Sequence, residues 1–409
     1  MIEAAHAVLL NNEPIGSLLQ RGDVARFVFD DEYWSSPDRG VLGLWFEDNP
    51  RESPQAALRL PPWFSNLLPE GRMRDWVALE RGVNVQRELQ LLLHIGRDLP
   101  GAIEVIQGGG DPSHLSSVQE SAAIGAEEAP GDQLWRFSLA GVGMKFSLLR
   151  DGDRLTLPGT NALGDWIVKL PDSSFPRLPE NEFAMMALAR RIGIDVPEIE
   201  LVHRDALPDI PDLAWPNQEQ HAFAIRRFDR SPSGTRIHIE DFAQVRGWYP
   251  NAKYEGSFTS VAALIYRGRD RASLREFVRR LTFNLLIGNG DAHLKNWSLI
   301  YRDRRIPSLS PAYDLVSTGP YIPIDTPDGL GLSFNGSRAF GRVSRSGFER
   351  LQLQLDAKRE DVLDVVDETI ARFFAEWKAG VPNIPTFLSA WIEPHSETMW
   401  RQLSKPGRL

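Results

Sequence analysis

The sequence predicts an α+β protein with a small N-terminal α/β module and two lobes, one β-rich and one mainly helical, with a cleft between them. Three observations carry this. Short strand-like runs open the chain and recur after residue 133. A composition break at Gly108-Gly109-Gly110-Asp111-Pro112 separates the two sets. Beyond about Asp229 the apolar residues recur at helical spacing instead. The expected divisions are 1–107 for the module, 108–132 for a linker or mobile loop, 133–228 for the β-rich lobe and 229–409 for the helical one.

In the module, Ala7-Val8-Leu9-Leu10 and Ala25-Arg26-Phe27-Val28-Phe29 read as strands, with Asn11-Asn12-Glu13-Pro14 as a turn. A helical part follows Leu67-Leu68-Pro69-Glu70-Gly71 and continues through Leu89–His94. His94 reads as a packed or surface histidine, not a catalytic group. The stretch from Gly108 to about Asp132 is rich in Ser, Glu, Ala and Gly and offers little to bury, the signature of a linker.

Next, Trp135–Leu139 and Met144–Leu149 flank Gly141-Val142-Gly143, a hairpin signal. In Trp166–Pro171, strand alternation sets Trp166, Val168 and Leu170 on one face and Ile167 and Lys169 on the other. Asn181 to Ile192 reads as a helix, because Met185, Leu188, Ala189 and Ile192 follow i, i+3, i+4, i+7. Gly193 stops it and Pro197 prevents its resumption. Ile199–Val202 and Ala222–Ile225 are further strands. In the helical part, Phe277, Val278, Leu281, Thr282 and Leu285 form an apolar stripe ending at Gly288, and Val362–Trp377 is a second helix.

Composition narrows the function. The formal charge of −9 argues against a general affinity for nucleic acid, which needs clustered Lys and Arg. The chain has no cysteine, so disulfides, thiolate zinc sites and thiol nucleophiles are excluded, and a reducing cytoplasm fits. The N-terminus lacks a signal-peptide pattern, and no apolar run reaches the ~18 residues of a membrane span. A soluble, cytoplasmic protein is expected.

The chemistry concentrates in Gly288-Asn289-Gly290-Asp291-Ala292-His293-Leu294-Lys295-Asn296. An Asp, an Asn five residues on, and a later Asp (Asp314) is the order in which phosphoryl-transfer sites of the kinase type set out a base and two Mg²⁺ ligands. Asp291 is then the base, and Asn296 and Asp314 hold the metal through oxygen atoms. Lys169, flanked by apolar residues in a strand, needs a partner or a ligand; Glu182, at the start of the next helix, could pair with it. Gly141-Val142-Gly143, with Lys145 behind it, is a candidate phosphate loop, although such a turn is also common as plain structure. His293 reads as a buttress of its loop. Two other readings use the same residues: an Asp-x-His metal pair of a hydrolase, and a binding protein without catalysis.

Over nearly its whole length the chain resembles the HipA toxins, serine/threonine kinases of bacterial toxin–antitoxin modules. The motifs are Asn66-Leu67-Leu68-Pro69-Glu70, Ile95-Gly96-Arg97-Asp98, Ser138-Leu139-Ala140-Gly141-Val142, Trp166–Pro171, Asn181-Glu182, Arg227-Phe228-Asp229-Arg230, the Asp291–Asn296 loop and Ala312-Tyr313-Asp314-Leu315. The resemblance implies a kinase-like, HipA-like fold and use of ATP with Mg²⁺. It implies Asp291 and Lys169 as catalytic residues and Asn296 and Asp314 as metal ligands. Ala140, Gly141, Val142, Gly143, Met144 and Lys145 would lie over the phosphates, Arg226, Arg227 and Phe228 would form an interlobe hinge beside adenine, and His293 and Lys295 join the nucleotide-binding set. It also implies autophosphorylation at Ser138, an aminoacyl-tRNA synthetase as substrate class, and a helix-turn-helix antitoxin like HipB as partner, through which alone DNA would be met. A catalytically silent partner or corepressor of such an antitoxin is the alternative. The chain departs from the family at Gly143 and Met144, where Gln and then Pro or Glu usually stand, which puts the exact phosphate contacts of this loop in question.

Overall fold

Two adjacent asparagines begin the fold. Asn11 and Asn12 take φ of 53° and 66°, a left-handed conformation that asparagine tolerates and that a two-residue hairpin turn requires. They reverse the chain between β1 (Ala4–Leu10) and β2 (Glu13–Arg21). The computed structural model describes residues 4–50, 52–95, 98–108, 144–158, 163–210, 214–323 and 329–404. The chain forms two compact units: Met1–Val168 with Asp229–Pro250 and Ile300–Pro307, and Lys169–Phe228 with Asn251–Leu299 and Ser308–Leu409.

In the first unit an antiparallel sheet has the order β4-β3-β2-β1-β5, adding β3 (Val24–Phe29), β4 (Gln55–Ala57) and β5 (Ile103–Ile106). Val8, Leu10, Ile15, Leu18 and Phe27 are buried in its core. Met73 and Val77 of the helix Gly71–Glu80, and Leu91 and Leu92 of the helix Glu88–Ile95, are buried as well. His94 is exposed, as a surface histidine should be. A hairpin of β6 (Lys145–Asp151) and β7 (Arg154–Thr156) follows, and then the strand β8 (Trp166–Lys169). The strand expected at Trp135–Leu139, the Gly141–Gly143 turn and the 108–132 linker, apart from Gly108, lie outside the described residues.

Two buried polar clusters hold this unit together. The Arg230 guanidinium donates to Asp98 and Asp229, each at 3.0 Å, and to the Leu99 and Gly101 carbonyls, each at 2.9 Å. Asp229 also accepts from the Gly101 N–H at 2.8 Å. Gly101 has φ of 73°, and a Cβ there would lie 2.8 Å from the Ile239 nitrogen, so the close approach needs glycine. In the second cluster Glu240 accepts from Leu44 N–H at 2.9 Å, from Trp63 Nε1 at 3.1 Å and from the Tyr301 hydroxyl. His238 is bonded through Nε2 to the Leu42 carbonyl at 2.8 Å, and its ring stacks on Trp63. A carbonyl only accepts, so Nε2 carries the proton.

In the second unit β9 (Ile199–His203) and β10 (His221–Arg226) pair antiparallel. The helix Leu178–Arg191 starts three residues earlier than its periodicity suggests. Pro179 falls in its first turn, where the missing N–H costs nothing. Gly193 follows its end with φ of 92°. The stripe residues Phe277, Val278, Leu281, Thr282 and Leu285 are all buried on the helix Arg271–Ile287. The helices Leu363–Lys378 and Thr386–Leu403 pack against it. The helical half also contains short strands, among them Ser298–Tyr301 and Gly329–Phe334, which the sequence reading of that half did not include.

Candidate active site

All the geometry below lies in the second unit. Asp270 caps the start of the helix Arg271–Ile287 by accepting from Ser273 N–H at 3.0 Å. Gly288 ends it in the left-handed conformation, with φ of 65°, and a Cβ there would stand 2.4 Å from the Trp391 ring. Backbone angle and space both demand glycine.

The loop released at Gly288 is fastened along its length. Buried Asn289 donates to Asn284 Oδ1 at 2.9 Å and accepts from Asp291 N–H at 3.0 Å. Gly290 N–H donates to Thr318 Oγ1 at 2.7 Å. The Asp291 carbonyl accepts from His293 N–H at 2.7 Å and from Asn296 Nδ2 at 2.8 Å. These bonds fix the backbone and leave the half-buried Asp291 carboxylate for other work. Its Oδ1 accepts from the Tyr254 hydroxyl at 2.6 Å, and among the described residues its Oδ2 has no hydrogen-bond partner. Asn296 is anchored through its nitrogen, and its Oδ1 accepts no hydrogen bond among the described residues.

Asp314 has φ of 54°, which aspartate tolerates better than most residues. It lines a small cleft together with Asn289, Asn296, Tyr313 and Leu315. Lys169 donates to Glu182 at 2.6 Å and also pairs with Asp314. Burial pulls the Lys169 ammonium down, but the Asp314 and Glu182 carboxylates outweigh it and hold the group above the ordinary lysine range. Glu182 is buried on the helix Leu178–Arg191. Phe228 packs on Tyr313 with ring centroids 5.7 Å apart, and the Tyr313 hydroxyl donates to the Lys295 carbonyl at 2.9 Å.

The structure therefore brings together Lys169, Asp291, Asn296 and Asp314, with His293, Lys295 and Phe228 beside them. Arg226, at the end of β10, is paired with Glu198 at 3.3 Å, and Arg227 is buried. Met144 and Lys145 are half-buried and belong to the first unit. Ser138, Ala140, Gly141, Val142 and Gly143 lie outside the described residues. Sequence reasoning missed Tyr254 and Asn289. Asn289 had a local signal, being the one polar residue between the two glycines of the loop; Tyr254 had none.

Mg²⁺ takes hard oxygen ligands and keeps part of its shell for water and phosphate. The Asn296 amide oxygen and the Asp314 carboxylate line one cleft and fit that preference. Among the described residues no three His, Asp or Glu side chains gather as a metal site.

Lys169, Asp291, Asn296 and Asp314 stand in an α+β chain of kinase-like, HipA-like fold. Residues 6–106 match the HipA N-terminal domain and residues 137–377 the HipA-like C-terminal domain, and the chain belongs to the HipA family. The Sinorhizobium fredii protein Y4dM, whose kinase name is provisional, is 42% identical over 97% of this chain and 98% of its own length. The serine/threonine-protein kinase toxin HipA of Shewanella oneidensis is 29% identical over 63% of this chain and 62% of its own. Among solved structures, the toxin–antitoxin complex of HipA, HipB and operator DNA from Shewanella oneidensis MR-1 matches with a TM-score of 0.73 over 97% of each chain, at 22% identity. At that identity the likeness establishes the HipA fold. Among the described residues no helix is long and apolar enough to cross a membrane.

Proposed function

We propose that this chain is a toxin-type serine/threonine protein kinase that transfers the γ-phosphoryl group of ATP to a hydroxyl of another protein. The observation that carries the reading is the fastened 288–296 loop, which bonds Asp291 to Asn289 and Asn296, two residues that line a cleft with Asp314.

Each residue then has a task. Asp291 orients the acceptor hydroxyl and takes its proton as the new oxygen–phosphorus bond forms. The bond from the γ-phosphorus to the bridging oxygen breaks, and ADP leaves. Lys169, oriented by Glu182, holds the α- and β-phosphates. Asn296 and Asp314 would hold Mg²⁺, which when bound neutralises phosphate charge. Residues 140–145 would cover the phosphates. Arg226, Arg227 and Phe228 would lie beside adenine, with His293 and Lys295 completing the nucleotide site.

Regulation and partners follow the family resemblance. Phosphorylation of Ser138 adds up to about two negative charges beside the phosphate loop, which repels ATP and switches the enzyme off. A HipB-like helix-turn-helix antitoxin is the partner; the name of the solved HipA–HipB–DNA complex supports this. The −9 charge leaves any DNA contact to that partner. The acceptor is of the aminoacyl-tRNA synthetase class and the site of action the cytoplasm, in keeping with a chain that has no cysteine.

Asp291→Asn tests the base. The variant is expected to transfer no phosphate from radioactive ATP while keeping the rise in melting temperature that Mg²⁺·ATP gives the wild type. Transfer by the variant refutes the assignment. A wild type that neither transfers phosphate nor is stabilised by Mg²⁺·ATP is the silent corepressor instead. Intact-mass and peptide mapping after incubation with ATP is expected to find phosphate on Ser138, and its absence removes the switch.

A further inference from the structure

Tyr254 is bound to the centre of this site without belonging to any motif that suggested it. Its hydroxyl donates to Asp291 Oδ1 at 2.6 Å. The segment that carries it is tied to the same loop and to its surroundings. The Lys253 carbonyl accepts from Leu294 N–H at 3.0 Å, inside the 288–296 loop. The Tyr254 carbonyl accepts from Arg338, and the Gly256 carbonyl accepts from the Ser333 hydroxyl at 2.9 Å. The tyrosine ring meets the His293 ring edge-on, with centroids 5.0 Å apart and planes at 82°. The ring is thus fixed by its own backbone and by His293 before its hydroxyl reaches Asp291. That gives His293 a task as well: it is the wall that aims Tyr254.

We propose that Tyr254 is a positioning residue for phosphoryl transfer, which engages one carboxylate oxygen of Asp291 and thereby presents the other, Oδ2, to the acceptor hydroxyl. The inference rests on the reading of Asp291 as base. Its physical content is rotational. A carboxylate is free to turn about its Cβ–Cγ bond, and a short hydrogen bond to Oδ1 removes that freedom. Oδ2, without a hydrogen-bond partner among the described residues, is left to meet the proton. Loss of such alignment costs rate, because the tyrosine hydroxyl engages the carboxylate that takes the proton.

The test compares wild type, Tyr254→Phe and Asp291→Asn, with dephosphorylated casein and the chain itself, pretreated with phosphatase, as acceptors. Tyr254→Phe is expected to lower kcat roughly 10- to 100-fold, to leave KM for ATP within about twofold, and to keep the wild-type thermal shift with Mg²⁺·ATP. Replacing Tyr254 with 3-fluorotyrosine, which keeps the hydroxyl, restores kcat. An unchanged kcat in Tyr254→Phe makes the contact merely structural and overturns the proposal. A raised kcat makes the hydroxyl a plug in the acceptor position, and phosphate mapped to Tyr254 makes it an acceptor; either overturns it too. Transfer by Asp291→Asn, or no transfer by the wild type to either acceptor, refutes the reading of the base itself, whatever Tyr254→Phe does.

Discussion

Replacing Glu240 by Gln, and separately His238 by Gln, should expose two opposed pH dependences that conceal each other in the wild type. Both side chains are fully buried in the first unit. Burial pushes the Glu240 carboxyl from 4.5 up to about 7 against its three hydrogen-bond donors. Burial pushes the His238 imidazole from 6.5 down to about 4 against its bond to the Leu42 carbonyl. At about 1.4 kcal/mol per pH unit, each gap is worth on the order of 3 kcal/mol. The signs differ. For Glu240 the folded state binds the proton more tightly than the unfolded chain, so stability is lost as pH rises from 4.5 to about 7. For His238 the unfolded chain binds the proton more tightly, so stability is lost as pH falls from 6.5 to about 4. Between 4.5 and 6.5 the two slopes nearly cancel.

The assay is urea unfolding followed by tryptophan fluorescence, at fixed ionic strength, from pH 4 to 8. Each substitution carries a fixed cost from altered hydrogen bonding; the diagnostic quantity is how its difference from wild type changes with pH. Glu240→Gln should gain about 3 kcal/mol on the wild type as pH rises from 4.5 to 7. His238→Gln should gain about as much as pH falls from 6.5 to 4. A difference that stays flat within about 1 kcal/mol, or that moves in the opposite direction, refutes the argument for that group.

Lys169→Met leaves Glu182 and Asp314 without the cation between them. It is expected to lower phosphate transfer by roughly 10²- to 10³-fold and to abolish the thermal shift with Mg²⁺·ATP; an unaltered shift would mean that Lys169 holds no phosphate. Arg230→Met strands the buried carboxylates of Asp98 and Asp229 and should cost about 3–5 kcal/mol, read as a lower urea midpoint; a loss below about 1 kcal/mol would mean that water replaces the guanidinium.

What the sequence disclosed follows the reach of each interaction. The 288–296 loop could be read directly because its scaffold is local: Asn289, Asp291, His293 and Asn296 bond to one another within a few residues. Strand alternation set Trp166, Val168 and Leu170 on one face, and all three are buried, because a period of two is a property of the strand alone. Helix starts were less legible. The apolar spacing that marks the helix begins only at Met185, and the helix Leu178–Arg191, expected from Asn181, starts three residues earlier with Pro179 in its first turn.

The same reasoning explains the residues that stayed hidden. The burial of Arg230, seen in the sequence only as part of a family motif, and of His238 and Glu240 had no local spacing to mark it. They are buried because their partners come from far away in the chain: Asp98 lies 132 residues from Arg230, and Trp63 lies 177 from Glu240. No spacing rule spans such separations; only packing decides them. Tyr254 belongs to the same class, 37 residues before the carboxylate it engages. A loop that supports itself can announce its chemistry in a nine-residue motif. Tyr254 is held by separate backbone anchors, so it need carry no motif.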